Sequence, residues 1–221
     1  MRRVSARERM VEAAFALFDE QGYDATTVEQ IVERAGVSRS TFFRAFGSKE
    51  DVIFPRHDDL HARMDARLTT GTRDTYLLAV SEAARLVLEQ YLAEGPLARS
   101  RYGLTRSVPA LRDREIASML GYQRLFREHV RRWLDGDDVD LHAELLAAAV
   151  VTAHNVVLRR WLRGEATDPH REFDAAMGRV VAMAGAWGGD GGGDGATTVV
   201  VLRSGRPVDE VLPALRRALE D

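Results

Sequence analysis

An all-α chain is predicted by three observations. Two short helical segments flank a glycine turn near the N-terminus, a series of further segments is bounded by Gly, Pro and Asp signals, and one long segment at 140–163 is apolar on two faces. Residues 1–187 divide into about nine helices on these signals. A glycine-rich stretch at 188–195 and a short strand-plus-helix extension at 196–221 follow.

The first helix lies in RERMVEAAFALFDEQ and ends at Gly22. Thr26 and Thr27 can each cap a second helix, with Glu29 or Gln30 three residues on in the reciprocal capping-box spacing. Val28, Ile31, Val32 and Ala35 then form one stripe that faces a core. Gly36 ends the helix, because glycine takes positive φ without a Cβ penalty. Ser38 caps a third helix that turns Phe42 and Phe46 inward and leaves Arg39, Ser40, Phe43 and Arg44 free to face outward. Ser48 and Asp51 open a fourth. Two short helices around a tight glycine turn make a helix-turn-helix, whose ligand is double-stranded DNA and whose outward residues are the candidate reading head.

The run AGVSRSTFFRAFGSKEDV resembles the motif of the tetracycline-repressor (TetR) family, and RERMVEAAFALFDEQGYDATTVEQIV is similar to that family's first helix and the threonine pair after it. The motif-level resemblance covers about residues 5–54. Carried over position by position, it implies phosphate contacts from Thr27, Thr41 and Lys49, base-edge contacts from Arg39 and Ser40, and an apolar contact from Phe43. The family's usual tyrosine is Phe43 here, and its usual histidine or tyrosine two residues later is Ala45. Arg39, Arg44 and Lys49 are therefore expected to carry more of the phosphate electrostatics. Lys49 is the one lysine among 31 basic residues, and it stands at the family's phosphate position.

Past residue 52 a helix is expected from about Lys49 to Leu68, kinked or restarted near Phe54 because Pro55 cannot donate to the carbonyl of residue 51. Such a bend either helps set the spacing of two DNA-reading heads or marks a plain break. Helices are expected at about Asp74–Glu94, Leu97–Arg106, Pro109–Leu134 and Asp140–Arg163, and from the Asp168-Pro169 cap to Trp187. In Asp140–Arg163, Val151, Asn155, Leu158 and Leu162 belong to one apolar side and Ala147, Val150, His154, Val157 and Trp161 to another. One side meets the domain core. The other, with Val151, Asn155, Leu158 and Leu162 as the dimer-face candidates, meets the same helix of a second copy, as a homodimer, or a neighbour within its own domain. Tyr91, Tyr102, Met119, Tyr122, Phe126 and His154 are the candidate pocket residues for a small-molecule effector.

Composition bounds the function. The chain has 221 residues, 45% hydrophobic and 29% charged, with net charge −3 and no cysteine, which excludes disulfides and thiolate metal sites. The longest purely apolar run, LLAAAVV at 145–151, is far short of the ~18 residues of a membrane span, and the charged N-terminus is unlike a signal peptide. A cytoplasmic protein with no membrane partner is the expectation. Residues 1–50 carry eight basic and eight acidic side chains, so any nucleic-acid contact depends on where the charges sit. His57 and His61 share a helix face but lack a third ligand at a readable position, so no metal site is assigned. No catalytic or cofactor motif is present, G-x-S-x-G, H-E-x-x-H and the phosphate loop included.

The expected organisation is a DNA-binding domain at 1–48, a ligand-binding and dimerisation domain at 49–187, a linker at 188–195 with a reach of roughly 14–17 Å, and an extension at 196–221 too small to fold alone. The resemblance implies a dimeric regulator, a repressor released from a palindromic operator by an effector. The alternative is an enzyme or binding module that keeps the helix-turn-helix as scaffold.

Overall fold

The computed structural model describes residues 4–54 and 57–187, and these form nine α-helices and a 3-10 turn. Pro55, the glycine-rich stretch and the strand-plus-helix extension lie outside the described residues.

The N-terminal head consists of α1 (Ala6–Gln21), α2 (Val28–Ala35) and α3 (Arg39–Ala45). Ser5 and Thr27 each form a complete capping box, with Glu8 and Gln30 respectively, and the Ser38 side chain accepts from Thr41 N–H. Gly36 closes α2 in the left-handed region at φ 63°, its N–H returning to the carbonyls of Val32 and Glu33. A salt bridge from Arg34 to Glu20 (2.7 Å) and a hydrogen bond from Arg9 Nε to the Ala35 carbonyl (3.2 Å) tie α2 to α1. Met10, Ala14, Phe18, Ile31, Phe42 and Phe46 fill the head's core. Val52, Ile53, Phe54 and Leu111 join that core from outside the three helices.

The expected helix over about 49–68 is broken. A 3-10 turn spans Glu50–Val52, and α4 runs from His57 to Thr69. The carbonyl of Ile53, which a continuous helix would give to residue 57, accepts from Arg101 Nε instead. Asp51 takes the Ser48 N–H at 2.9 Å and pairs with Arg114.

The body contains α5 (Tyr76–Glu94), α6 (Pro96–Ser107), α7 (Pro109–Trp133), α8 (Val139–Leu162) and α9 (Pro169–Trp187). Pro96 and Pro109 sit at the first position of their helices, where a missing N–H costs nothing, and Asp168 caps α9 by accepting from Arg171 N–H at 3.0 Å. A second core, with Leu88, Phe126, Leu146, Val150 and Phe173 at its centre, holds these helices and α4 together. His129 on α7 contacts Asp65 on α4 at 2.8 Å. At Gly71 a Cβ would lie 2.7 Å from the Trp133 ring, so only glycine lets the end of α4 pass so close to α7. Helix α8 is long and apolar enough to cross a membrane by length and composition, yet it packs between α7 and α9 with nine of its side chains buried.

Candidate nucleic-acid interface and ligand cavity

The surface of α3 follows from its cap and its two buried phenylalanines. Phe42 is fully buried, and its ring meets those of Phe46 and Phe43 at 5.4 and 5.3 Å. With Phe42 and Phe46 fixed inward, Arg39, Ser40, Phe43 and Arg44 emerge on the exposed side, Phe43 with 44% of its surface accessible. An exposed phenylalanine on this surface has the chemistry for apolar contact with a thymine methyl. Arg39 pairs with Glu29 at 2.8 Å and lies 5.5 Å from the Phe43 ring centroid. Both members of that pair are more than half exposed, so the pair contributes little and is readily exchanged for a base edge.

Thr27 precedes α2 and Thr41 lies within α3, and each hydroxyl already has work: Thr27 caps α2, and Thr41 lies 2.9 Å from the Ser38 hydroxyl. Lys49 is engaged more deeply. Its ammonium donates to the carbonyls of Tyr23 (2.8 Å) and Thr26 (2.9 Å) and sits 4.0 Å from the Tyr23 ring centroid, which locks the turn between α1 and α2 against the 3-10 turn. Two of its three hydrogens are spent inside the head. The Tyr23 hydroxyl donates to Glu50 at 2.5 Å, and burial together with that carboxylate holds the phenol well above its usual range.

Between α5, α6, α7 and α8 lies a cavity of about 310 Å³. Tyr91, Tyr102, Met119, Tyr122, Phe126 and His154 all line it. Burial shifts the ionisable groups of the wall toward neutrality: the Tyr91 phenol is pushed up to about 12, the Glu115 carboxyl is raised despite a hydrogen bond from Thr105, and His154 is lowered to about 4. Val151, Asn155, Leu158 and Leu162 also line the cavity, and Leu158 and Leu162 are buried within the protomer. These four side chains are thus turned toward the cavity. The exposed apolar stripe of α8 is Leu141, Leu145 and Val156 with Thr152, roughly a quarter-turn round the helix.

Phe54 connects the two sites, since it lines the cavity and belongs to the head's core. Beside it Arg101 is 4% exposed; its Nη1 faces Glu94 at 2.6 Å while its Nε donates to the Ile53 carbonyl. Sequence reasoning missed this residue. Arg99, Arg101 and Arg106 look alike along α6, and only the packing shows which one is buried.

Residues 10–54 match the family of bacterial regulatory proteins described as tetR, and residues 74–184, half of the chain, match the MftR C-terminal domain of TetR-type proteins. The chain belongs to the TetR family. The transcriptional regulator TcmR of Streptomyces glaucescens is 41% identical over 83 residues, 37% of each chain. The chain spans about a third or less of the curated relatives it matches. Among solved structures, a SmeT–triclosan complex shares 20% identity at a TM-score of 0.56, covering 90% of this chain and 99% of that one. FadR of Bacillus subtilis in complex with stearoyl-CoA shares 20% identity at a TM-score of 0.51, over 80% of this chain and 96% of that one. These likenesses establish a TetR-type fold across head and body. Among the described residues no cluster of three or more His, Asp or Glu side chains is placed to hold a metal ion; His61 instead stacks on Tyr122 with ring centroids 4.8 Å apart.

Proposed function

We propose that this TetR-family protein is a cytoplasmic, ligand-responsive transcriptional regulator, a homodimeric repressor that leaves a palindromic operator when a small molecule fills its cavity. Residues 1–48 form the DNA-binding domain and 49–187 the ligand-binding and dimerisation domain. Arg39 and Ser40 meet base edges, Phe43 makes an apolar contact, and Thr27, Thr41, Arg44 and Lys49 meet phosphates. The observation that carries this reading is the shared residue Phe54, which places a cavity wall inside the core that supports α3.

A dimer is required because one short reading helix contacts too few base pairs to select a genomic site. The exposed stripe of Leu141, Leu145, Thr152 and Val156 on α8 supports it, as does a row of small exposed residues on α9, Ala175, Gly178, Ala182 and Gly185. A Cβ at Gly178 or Gly185 would meet nothing within 4 Å in the protomer, so a second chain can approach closely there.

Release works by population shift: a ligand that binds one arrangement of α6 and α7 better than the other biases the head through Arg101 on Ile53 and Arg114 on Asp51. The cavity lies at the low end of the size range of drug-sized sites, about 300–1,000 Å³, which favours a compact effector, closer to the triclosan held by SmeT than to the stearoyl-CoA held by FadR. Chemistry on the ligand is not part of the proposal.

Selection of bound duplexes from a random pool at fixed salt tests the proposal. Recovery of an inverted repeat is expected and reports both the dimer and the operator; no enrichment over competitor overturns the regulator reading and favours a binding module on a helix-turn-helix scaffold. On the recovered operator, Arg39→Ala should cost about 1–3 kcal/mol at one base position. Uniform weakening on all sequences would reduce Arg39 to a phosphate contact.

A further inference from the structure

Five buried side-chain polar atoms lack a hydrogen-bond partner among the described residues: Arg85 Nη1, Glu94 Oε2, Arg101 Nη1, Arg127 Nε and His154 Nε2. Four have an electrostatic explanation. Glu94 Oε2 and Arg101 Nη1 face each other as an ion pair at 2.6 Å, and the guanidiniums of Arg85 and Arg127 hold Asp174 and Glu144 through their other nitrogens. His154 Nε2 has neither kind of partner; His154 lines the cavity with only 6% of its surface accessible, and Nε2 itself is fully covered, so a ligand reaches it only as the ring or a neighbouring side chain turns aside.

The polarity of that nitrogen can be derived from its neighbours. Asn155 Nδ2 lies 3.1 Å from the sulfur of Met119, and a thioether can only accept. The amide nitrogen of Asn155 therefore faces Met119, and its oxygen faces His154 Nδ1 at 3.2 Å. Nδ1 must then carry the proton and donate it to Asn155. Burial keeps the ring neutral by lowering its pKa to about 4, so Nε2 presents a lone pair. A second acceptor shares the cavity: Glu115, whose carboxyl already takes a hydrogen bond from Thr105. Most of the remaining wall is apolar or aromatic, with Arg106, Arg112 and Arg159 exposed at its rim.

We infer that the cavity takes a compact, largely aromatic or apolar molecule that donates one hydrogen bond, from a hydroxyl or an N–H, to His154 Nε2. The inference rests on reading the cavity as the effector site, and it adds the effector's chemical class. A carboxylate ligand would set its lone pairs against both His154 and Glu115. A pure hydrocarbon would leave Nε2 buried and unpaired, as it is now.

Three shape-matched probes test this on the full-length protein at pH 7 by isothermal titration calorimetry: 2-naphthol, 2-methylnaphthalene and 2-naphthoate. In a purely apolar cavity the methyl compound would win, because a hydroxyl is costly to desolvate. The expected result is the opposite, with 2-naphthol tighter than 2-methylnaphthalene by roughly tenfold and tighter than 2-naphthoate. In His154→Phe, which keeps an aromatic ring but removes the acceptor, 2-methylnaphthalene should still bind and the preference for the naphthol should vanish. Equal affinities in the unmutated protein, a preference that survives in His154→Phe, or a tighter naphthoate would each overturn the donor inference while leaving the cavity as a binding site. Failure of all three probes to bind would overturn the effector reading with it. Should His154→Phe not fold, imidazole ¹⁵N spectra of the unmutated protein decide the matter. The Nδ1–H tautomer with a lone pair on Nε2 is expected, with the Nε2 signal shifting when 2-naphthol is added; an Nε2–H tautomer overturns the assignment.

Discussion

Helices α1, α2 and α3 each begin on a serine or threonine whose hydroxyl accepts an N–H from its own first turn, whereas α5, α6, α7 and α8 begin with no side-chain cap at all. The head's helices have 16, 8 and 7 residues; those four body helices have between 12 and 25. Short helices are marginal in isolation, so each needs local hydrogen bonds to fix its ends as well as a buried face. Longer helices can rely on side-chain packing along their length, and their ends and tilts are then set by neighbours. The head is therefore locally specified and stiff, suited to presenting α3 in one orientation. The body is specified by its contacts, and contacts around a cavity can rearrange when a ligand enters.

The largest test of this contrast is Phe42→Ala. Phe42 is fully buried at the centre of the head, and its removal should cost about 3–5 kcal/mol. Operator binding should be lost, while calorimetric binding of 2-naphthol in the cavity changes less than about twofold. Loss of both would break the contrast by showing that the body cannot hold its cavity without an intact head.

The same contrast explains what could be read from the sequence. The head's helices were legible because Thr27 with Gln30, Ser38 with Thr41, and Gly36 are local signals that act within four residues of where they stand. The body's helices were legible from Gly95, Pro96, Pro109, Asp168 and Pro169, which punctuate the chain. Rotation about a helix axis was harder to read. In α8 nearly every turn is apolar all round, so its periodicity does not distinguish the cavity side, with Asn155 and Leu158, from the exposed side, with Leu145 and Val156. Long-range polar contacts were beyond reach, because the reach of Arg101 to a carbonyl 48 residues away leaves no trace in local spacing. Lys49 shows a related limit: a motif position marks a residue without separating its hold on Tyr23 and Thr26 from a contact with phosphate.

A second test uses pH. The head has no histidine among residues 1–54, whereas His154 sits buried and neutral in the body. Its folded pKa of about 4 lies below the unfolded value of about 6.5, so between those limits the unfolded chain binds a proton that the folded chain does not. Stability from this group is complete above pH 6.5 and is lost as pH falls toward 4, by about 3 kcal/mol in all. Carboxylates titrate in the same window, so the quantity to compare is the denaturation free energy of the unmutated protein against His154→Phe. The unmutated protein should lose about that much more on acidification; parallel curves would mean that His154 is protonated without penalty and that the cavity is wetter than its burial indicates.

The smallest test addresses the caps themselves. Thr27 and Asp138 stand at corresponding positions, before α2 and α8, and both are exposed, but only Thr27 hydrogen-bonds its helix. Thr27→Ala should cost about 1 kcal/mol, since an N–H of the first turn loses its acceptor and Gln30 loses half of its capping box. Asp138→Ala removes only a negative charge near the N-terminus of α8, worth about 0.3–1 kcal/mol at low salt and less as salt rises. Urea denaturation of the two variants at low and at physiological salt separates the effects. Thr27→Ala should keep its full cost in both, because a local hydrogen bond is not screened, and should also loosen operator binding by shifting the start of the helix that supports α3. If instead the two substitutions cost the same at both salt concentrations, the hydroxyl caps contribute no more than a screened charge, and the head's stiffness must come from Phe42, Phe46 and Ile31 alone.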